Sequence, residues 1–304
     1  MSKYVKTKEP PCTERYARWC ERSAGQIMVS LLLDFERQEF MNEMHPLAVV
    51  TTKEKYSTKA VRIAKETAEK LGLPYVPRGR FSLPELRQQY GVENILVVKK
   101  GLLFLEGLEE TLHFHPNMAH IRVKNLRFGR GDHLVKALDI QPGDKLLDCT
   151  LGLGADAIVE SFASGPDGSV TGLESQPLIE AVVSYGLQNF EGDGEKITEA
   201  MRRVKTVCID ALTYLKEQPD NSFDAIYFDP MFRYPLMDSE NLSPLRSLAD
   251  GRALTKETVA EACRVARKRV VMKENARSLE FERLGFKTIM GGKYSKVHYG
   301  VMIL

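Results

Sequence analysis

Apolar positions are unevenly spread along this chain. Before about Met44 the text is polar and irregular, as in "KTKEPPCTERYARWCERSAGQ", broken only by "IMVSLLL" (Ile27–Leu33). From Met44 onward regular patterns begin. "LAVVTT" is an apolar run ending in threonines and predicts a buried strand. "STKAVRIAKETAEKLG" repeats its apolar positions at helical spacing and stops at Gly72, and "LPYVPR" predicts a second short extended piece. "SLPELRQQYG" (Ser82–Gly91) predicts a helix with a serine cap, and "NILVVKKGLLFLEG" two strands around a Lys-Lys-Gly turn. Together these predict a small α+β unit over residues 44–126.

A basic, glycine-containing connection follows (His113–Asp148) and leads to a helix and then a strand. Within it, "HIRVKNLRFGR" alternates basic and apolar residues. That alternation predicts an extended piece presenting Arg122, Lys124 and Arg127, suited equally to an RNA backbone and to a solvated sheet edge. Beyond it, "KLLDCT", "SVTGLES", "VKTVCID", "FDAIYFD" and "KRVVMKE" are apolar strand candidates separated by helical patterns. Such alternation predicts an α/β domain over residues 127–304, with a mostly parallel sheet covered by helices on both faces. For residues 1–43 the expectation is an irregular segment, read either as a functional arm or, more plainly, as a poorly ordered and non-native stretch ahead of translation from Met41 or Met44.

Composition narrows the function classes. A chain of 304 residues with 43% hydrophobic content can bury real cores. A net charge of only +2 excludes a polycation that coats nucleic acid, so any nucleic-acid surface must be local. The five cysteines contain no CxxC pair, which argues against a zinc site or a disulfide framework and for a reducing cytoplasm. No apolar stretch approaches the ~20 residues of a membrane span. "IMVSLLL" runs straight into "DFERQE" without a small-residue cleavage site, so neither a signal peptide nor an anchor is expected.

The candidate chemistry begins at "LLDCTLGLGADA" (Leu146–Ala157), a strand ending in Asp148 followed by a turn containing Gly152 and Gly154 that opens a helix. Glycines there let the backbone approach a ligand, and the helix start offers free N–H groups. Alone the pattern is weak, but acids recur at later strand ends. Glu174 closes "VTGLE" about 20 residues on, where a doubly wound fold grips ribose hydroxyls. Asp210 closes "VCID", within reach of an adenine amino group, and Asp229 closes "FDAIYFD". A dinucleotide needs room for its pyrophosphate, whereas S-adenosylmethionine carries none and suits a short glycine turn lined by acids. The ending "YFDPMF" (Tyr227–Phe232) favours methyl transfer to an exocyclic base amine. The amine lone pair is delocalised into the ring, so the site must hold it in line and accept hydrogen bonds from its N–H groups. Asp229 supplies an acceptor, Pro230 stiffens the turn so that backbone carbonyls can accept another, and Phe232 offers a stacking face. Positioning and electrostatics then carry the catalysis without a metal.

With "LLDCTLGLGADA" and "YFDPMF", the "MAH" at Met118–His120, "GRGDHLVKAL" (Gly129–Leu138) and "RKRVVMKEN" (Arg267–Asn275) make the chain resemble the ribosomal RNA small subunit methyltransferase J family. The resemblance runs from about Met118 to Lys273. It implies a Rossmann-like class I methyltransferase fold, S-adenosylmethionine as cofactor, and methylation of a guanosine exocyclic amine in small-subunit ribosomal RNA. It also implies cofactor contacts at Ala155 and Asp156, at Glu174 and Ser175, and at Asp210 and Ala211. The chain departs from the family at Ala155, where arginine is common, at Ser175, where a basic residue is common, and at Arg233, where proline is common. The expected partner is therefore ribosomal RNA or the small subunit, with no DNA and no membrane, in the cytoplasm; the sequence sets no oligomeric state. Two rival readings keep the fold: a methyltransferase for a small molecule or protein, and a cofactor-binding module without turnover. A dehydrogenase is more distant, since nothing resembles a hydride-transfer site.

Smaller signals have plain accounts. His113, His115 and His120 lack a cysteine companion and helical-pair spacing, so solvated or strand-face histidines are expected rather than metal ligands. Cys149 is expected to be a small buried thiol rather than a nucleophile. The long loop Arg233–Gly251 directly after the motif is expected to cover the acceptor.

Overall fold

Two sheets carry the architecture. The computed structural model describes residues 46–116, 118–192, 194–230, 252–292 and 295–304. The first sheet holds β1 (Ala48–Thr52), β2 (Asn94–Lys99), β3 (Leu102–Glu106) and β4 (Thr111–His113) in that spatial order; β1 and β2 are parallel and the later pairs antiparallel. Helix α1 (Thr58–Leu71) starts where the Ser57 hydroxyl accepts from the Ala60 N–H. It stops at Gly72, whose φ of +63° is the left-handed conformation that glycine adopts without strain. Helix α2 (Leu83–Tyr90) opens with a reciprocal capping box between Ser82 and Glu85. The "LPYVPR" piece pairs alongside β1 through Val50 and Tyr75.

Helix α3 (Met118–Arg127) occupies the stretch whose basic–apolar alternation predicted an extended piece. The decisive spacing is that of Ala119, Val123 and Leu126, which form one apolar stripe packed into the core, beside α5. Helix α4 (His133–Leu138) follows, capped by Asp132.

The second sheet has seven strands. β5 (Lys145–Asp148), β6 (Ser169–Glu174), β7 (Val204–Cys208), β8 (Phe223–Phe228) and β9 (Ala266–Asn275) are mutually parallel; β11 (Val297–Ile303) lies antiparallel to β9, and β10 (Thr288–Met290) antiparallel to β11. The spatial order is β10-β11-β9-β8-β5-β6-β7. Helices α5 (Ala155–Ser164), α6 (Pro177–Asn189), α7 (Glu195–Arg203), α8 (Ala211–Glu217), α9 (Lys256–Val265) and α10 (Glu280–Leu284) cover it. The central strands are buried on both faces, hence their unbroken apolar runs.

One core cluster fills the face toward α5 and α6 and continues into the first sheet, and a second fills the face toward α8, α9 and α10. The two sheets meet at α6, where Gly186 leaves room for Phe114. A Cβ on Gly186 would come within 2.1 Å of that ring. Residues 47–304 form one compact unit.

Candidate active site

The sheet order itself creates a crevice. β5 lies between β6 and β8, so the connections leaving its two neighbours diverge, and the carboxyl ends of these strands border an open site. Register holds them level: Asp148 pairs with Gly172 on one side and Tyr227 on the other. The turn after β5 passes through Gly152 and Gly154 at φ of +48° and +76°, and a Cβ at Gly154 would press within 3.3 Å of Val183.

A cleft of about 230 Å³ lies over these ends. Among the described residues its walls include Gly152, Glu174, Ser175, Asp210, Ala211, Asp229 and Pro230, with apolar surface from Leu173, Ile209, Phe228 and Leu254. Glu174 accepts from the Gln176 N–H (2.9 Å). Asp210 caps α8 through the Thr213 N–H (3.1 Å) and receives Arg252 at 2.9 Å. Arg252 is the only basic side chain among those walls and is paired. The donor set therefore suits hydroxyls and amines better than a pyrophosphate.

Asp148, Gly154, Ala155 and Asp156 are not among the walls. Asp148 is 1% exposed; one oxygen accepts from the Thr150 N–H (2.9 Å) and the other has no partner. Burial, reinforced by Asp156 and Asp229, pushes its carboxyl up to about 8. An orphaned carboxyl beneath the cleft fits a ligand that brings a cationic amine. Cys149 is buried beside it, and burial holds its thiol well above the ordinary value, hence neutral.

Asp156 turns into a charged cluster that the sequence reading did not foresee. It accepts from Arg122, from the Tyr227 hydroxyl (2.9 Å) and from Lys273 (3.3 Å). Arg122 also forks onto both oxygens of Asp132 at 2.8 and 3.0 Å. Burial alone would raise Asp156, but Lys273 and Arg122 outweigh it and hold the carboxyl well below its ordinary range. Lys273 then reaches the motif acid: its Nζ lies 2.6 Å from Asp229 Oδ2. The Asp229 N–H donates to the Thr150 hydroxyl at 2.5 Å, so backbone and side chain are both fixed. Burial raises the Asp229 carboxyl and the Asp156 charge adds to this, while Lys273 pulls the other way without cancelling it. Lys273 itself stays firmly protonated, because its two carboxylates outweigh its own burial.

Phe232 and the loop 233–251 lie outside the described residues. Lys273, Tyr227 and Thr150 carry the local electrostatics without having been singled out, and Arg122, expected on the surface, turns inward onto Asp132 and Asp156 instead. A lysine directly after the apolar run Val270–Met272 of β9 was the available signal. His113 lies on β4 stacked against Phe104 at 5.0 Å. No helix among the described residues is long and apolar enough to cross a membrane.

Comparison with known proteins agrees with this geometry. The family model for SAM-dependent methyltransferases matches residues 83–296. An uncharacterized protein of Bacillus subtilis, YpiP, is 37% identical over 254 residues, covering 84% of this chain and 98% of its own length. The ribosomal RNA small subunit methyltransferase J of Ectopseudomonas mendocina is 28% identical over 248 residues, covering 77% of this chain and 87% of its own. A crystal structure of a SAM-dependent methyltransferase from Neisseria gonorrhoeae superposes with a TM-score of 0.55 at 19% identity, covering 84% of this chain and 95% of that one. The likeness supports a class I methyltransferase fold.

Proposed function

Because the chain belongs to the SAM-dependent methyltransferase family, we propose that it methylates the exocyclic amine of a guanosine in small-subunit ribosomal RNA. The cofactor is S-adenosylmethionine, which when bound supplies a methyl group on a positively charged sulfur. Relatives that align with this chain carry the name ribosomal RNA small subunit methyltransferase J, which supports an RNA acceptor. The observation that carries the choice of an amine is the fixed acid at the end of β8. Lys273 holds Asp229 Oδ2 and Thr150 holds the Asp229 N–H, leaving Oδ1 to accept one N–H of the incoming amine.

The proposed division of labour runs along the strand ends. Glu174 at the end of β6 takes the ribose hydroxyls, and Asp210 faces the adenine end. Asp148 and the backbone at Gly152 and Gly154 lie toward the amino-acid end, with Ala155, Ser175 and Ala211 shaping the turns around it. Asp229 accepts a hydrogen bond from one amine N–H and so raises electron density on the nitrogen; as the N–C bond formed, the methyl–sulfur bond would break to leave a neutral thioether, and the surplus amine proton would pass to Asp229 or to solvent. Pro230, without an N–H, leaves neighbouring carbonyls to accept the second N–H. The stacking role of Phe232 is proposed from the motif order alone. The base must leave its surroundings to enter the cleft. The unit over residues 44–126 recruits the RNA.

The test is transfer of labelled methyl from S-adenosylmethionine to small subunits, and to their deproteinised RNA, from a strain lacking this gene, followed by nucleoside mass spectrometry. The expected product is guanosine labelled on its exocyclic amine. Asp229→Ala is expected to lower turnover by about 10²–10³-fold, the range for removing one preorganised polar contact, with cofactor affinity retained. Full turnover in that variant, or label on another base, would refute the assignment.

A further inference from the structure

Helix α3 buries one face and leaves the other bare. Ala119 and Val123 enter the core and Arg122 reaches Asp132 and Asp156. On the outer side Met118, Ile121 and Phe128 are 59%, 50% and 72% exposed, and Lys124, Arg127 and Arg130 are exposed as well. Ile121, Lys124 and Phe128 follow helical spacing, and the Phe128 N–H still bonds back to Lys124, so they form one continuous surface. Gly129 then turns the chain at φ +70° and brings Arg130 back, with its guanidinium 3.4 Å from Asn125.

The charge on this face is one-sided. From Thr111 to Gly131 the sequence contains no aspartate or glutamate. Arg122 makes ion pairs, and among the described residues Lys124, Arg127 and Arg130 make none. Three unpaired cations beside an exposed aromatic ring match a polyanion whose bases present flat apolar faces: phosphates meet the cations and a base meets the ring. An acidic protein surface would answer the cations but not the bare ring.

The surface is also tied to the acceptor site. Its inward-facing Arg122 holds Asp156, Asp156 receives Lys273, and Lys273 holds Asp229. We infer that the outer face of α3 and the turn through Gly129 is where the RNA strand flanking the target nucleotide docks. The inference rests on the ribosomal RNA reading above and adds the surface that reads the strand.

The experiment compares the full chain with two variants, Lys124→Gln/Arg127→Gln and Phe128→Ala. Binding to small subunits and to their deproteinised RNA is measured by filter retention across a salt series. Melting temperature, S-adenosylmethionine affinity and sedimentation serve as controls. For single strands each lost phosphate contact reduces the slope of log affinity against log salt by about 0.7, so the double variant is expected to lose about 1.4. Phe128→Ala is expected to bind roughly tenfold more weakly at every salt concentration, the loss expected for one stacked base. Both keep their melting temperature and cofactor affinity. RNA binding with the parent slope and strength in both variants would overturn the docking surface and leave the proposed reaction standing. A parent chain that neither binds nor methylates either RNA sample would overturn both. If either variant turns a self-associated parent into a monomer, the face is a contact between copies and the inference fails.

Discussion

Replacing Lys273 with methionine removes the positive charge between Asp229 and Asp156 while keeping most of the side-chain volume. The cluster then holds the carboxylates of Asp132, Asp156 and Asp229 against Arg122 alone. Breaking a buried pair in this way ordinarily costs about 3–5 kcal/mol. Here the cost has a ceiling, because the stranded carboxyl can take up a proton. Asp229 takes it, since burial has already raised it whereas Asp156 keeps Arg122. Protonating a carboxyl whose ordinary value is 3.8 at pH 7 spans about three pH units at 1.36 kcal/mol each, giving a ceiling of about 4 kcal/mol. Lys273 and Asp229 remain 22% and 27% exposed, so the expected loss at pH 7 is about 2–3 kcal/mol. The same argument fixes the pH dependence: the loss shrinks by up to about 1.4 kcal/mol per unit as the pH falls and is under about 1 kcal/mol near pH 4.5. Urea denaturation of parent and variant from pH 4.5 to 8 measures it. The double variant Lys273→Met/Asp229→Asn should recover most of the stability while remaining inactive. A pH-independent loss, or one below about 1 kcal/mol at pH 7, would refute the view that Lys273 balances these two acids.

Three further outcomes follow from the geometry. The Asp148 carboxyl is raised from an ordinary 3.8 to about 8, so the folded chain binds this proton more tightly than the unfolded one; its contribution falls as the pH rises from about 4 to about 8 and is flat above that. Asp148→Asn should remove roughly 1 kcal/mol per pH unit of downward slope in urea denaturation, and an unchanged slope would contradict the assignment. Glu174→Ala should weaken S-adenosylmethionine binding by about 10- to 100-fold through loss of charged hydrogen bonds, measured by titration calorimetry; unchanged affinity would remove Glu174 from the cofactor site. Gly186→Ala forces a methyl against Phe114 and should cost about 1–3 kcal/mol, read as a lower melting temperature; an unaltered melt would mean that α6 and the first sheet are not closely packed there.

Strands of the main sheet were legible because they are buried on both faces, which leaves runs such as "FDAIYF" with few alternatives. The acids at Glu174, Asp210 and Asp229 were legible for a related reason: the end of such a run is a local event, and parallel strands send those ends to one side. The cluster around Asp156 was not legible, the resemblance having offered that acid only as a cofactor contact. Its partners Arg122, Tyr227 and Lys273 lie 34, 71 and 117 residues away, and only the tertiary fold brings them together. The same distance problem hid Lys273 behind Asp229, 44 residues apart. In α3 the two-residue alternation around Arg122 and Lys124 was real but local, and packing of Ala119 and Val123 into the core overrode it. The antiparallel strands β10 and β11 went unread, since their short and half-exposed patterns resemble loop text.

The guanidinium of Arg122 belongs to α3 yet neutralises acids that begin α4 and α5. This has a consequence for how the gene can be divided. A fragment beginning after α3 would inherit Asp132 without its counter-ion, Asp156 with Lys273 alone, and an α6 stripped of Phe114. The catalytic half is therefore not a transferable cassette: recombination that exchanges the leading segment must bring along an arginine at this position, or it leaves Asp132 unpaired and one lysine to balance both Asp156 and Asp229.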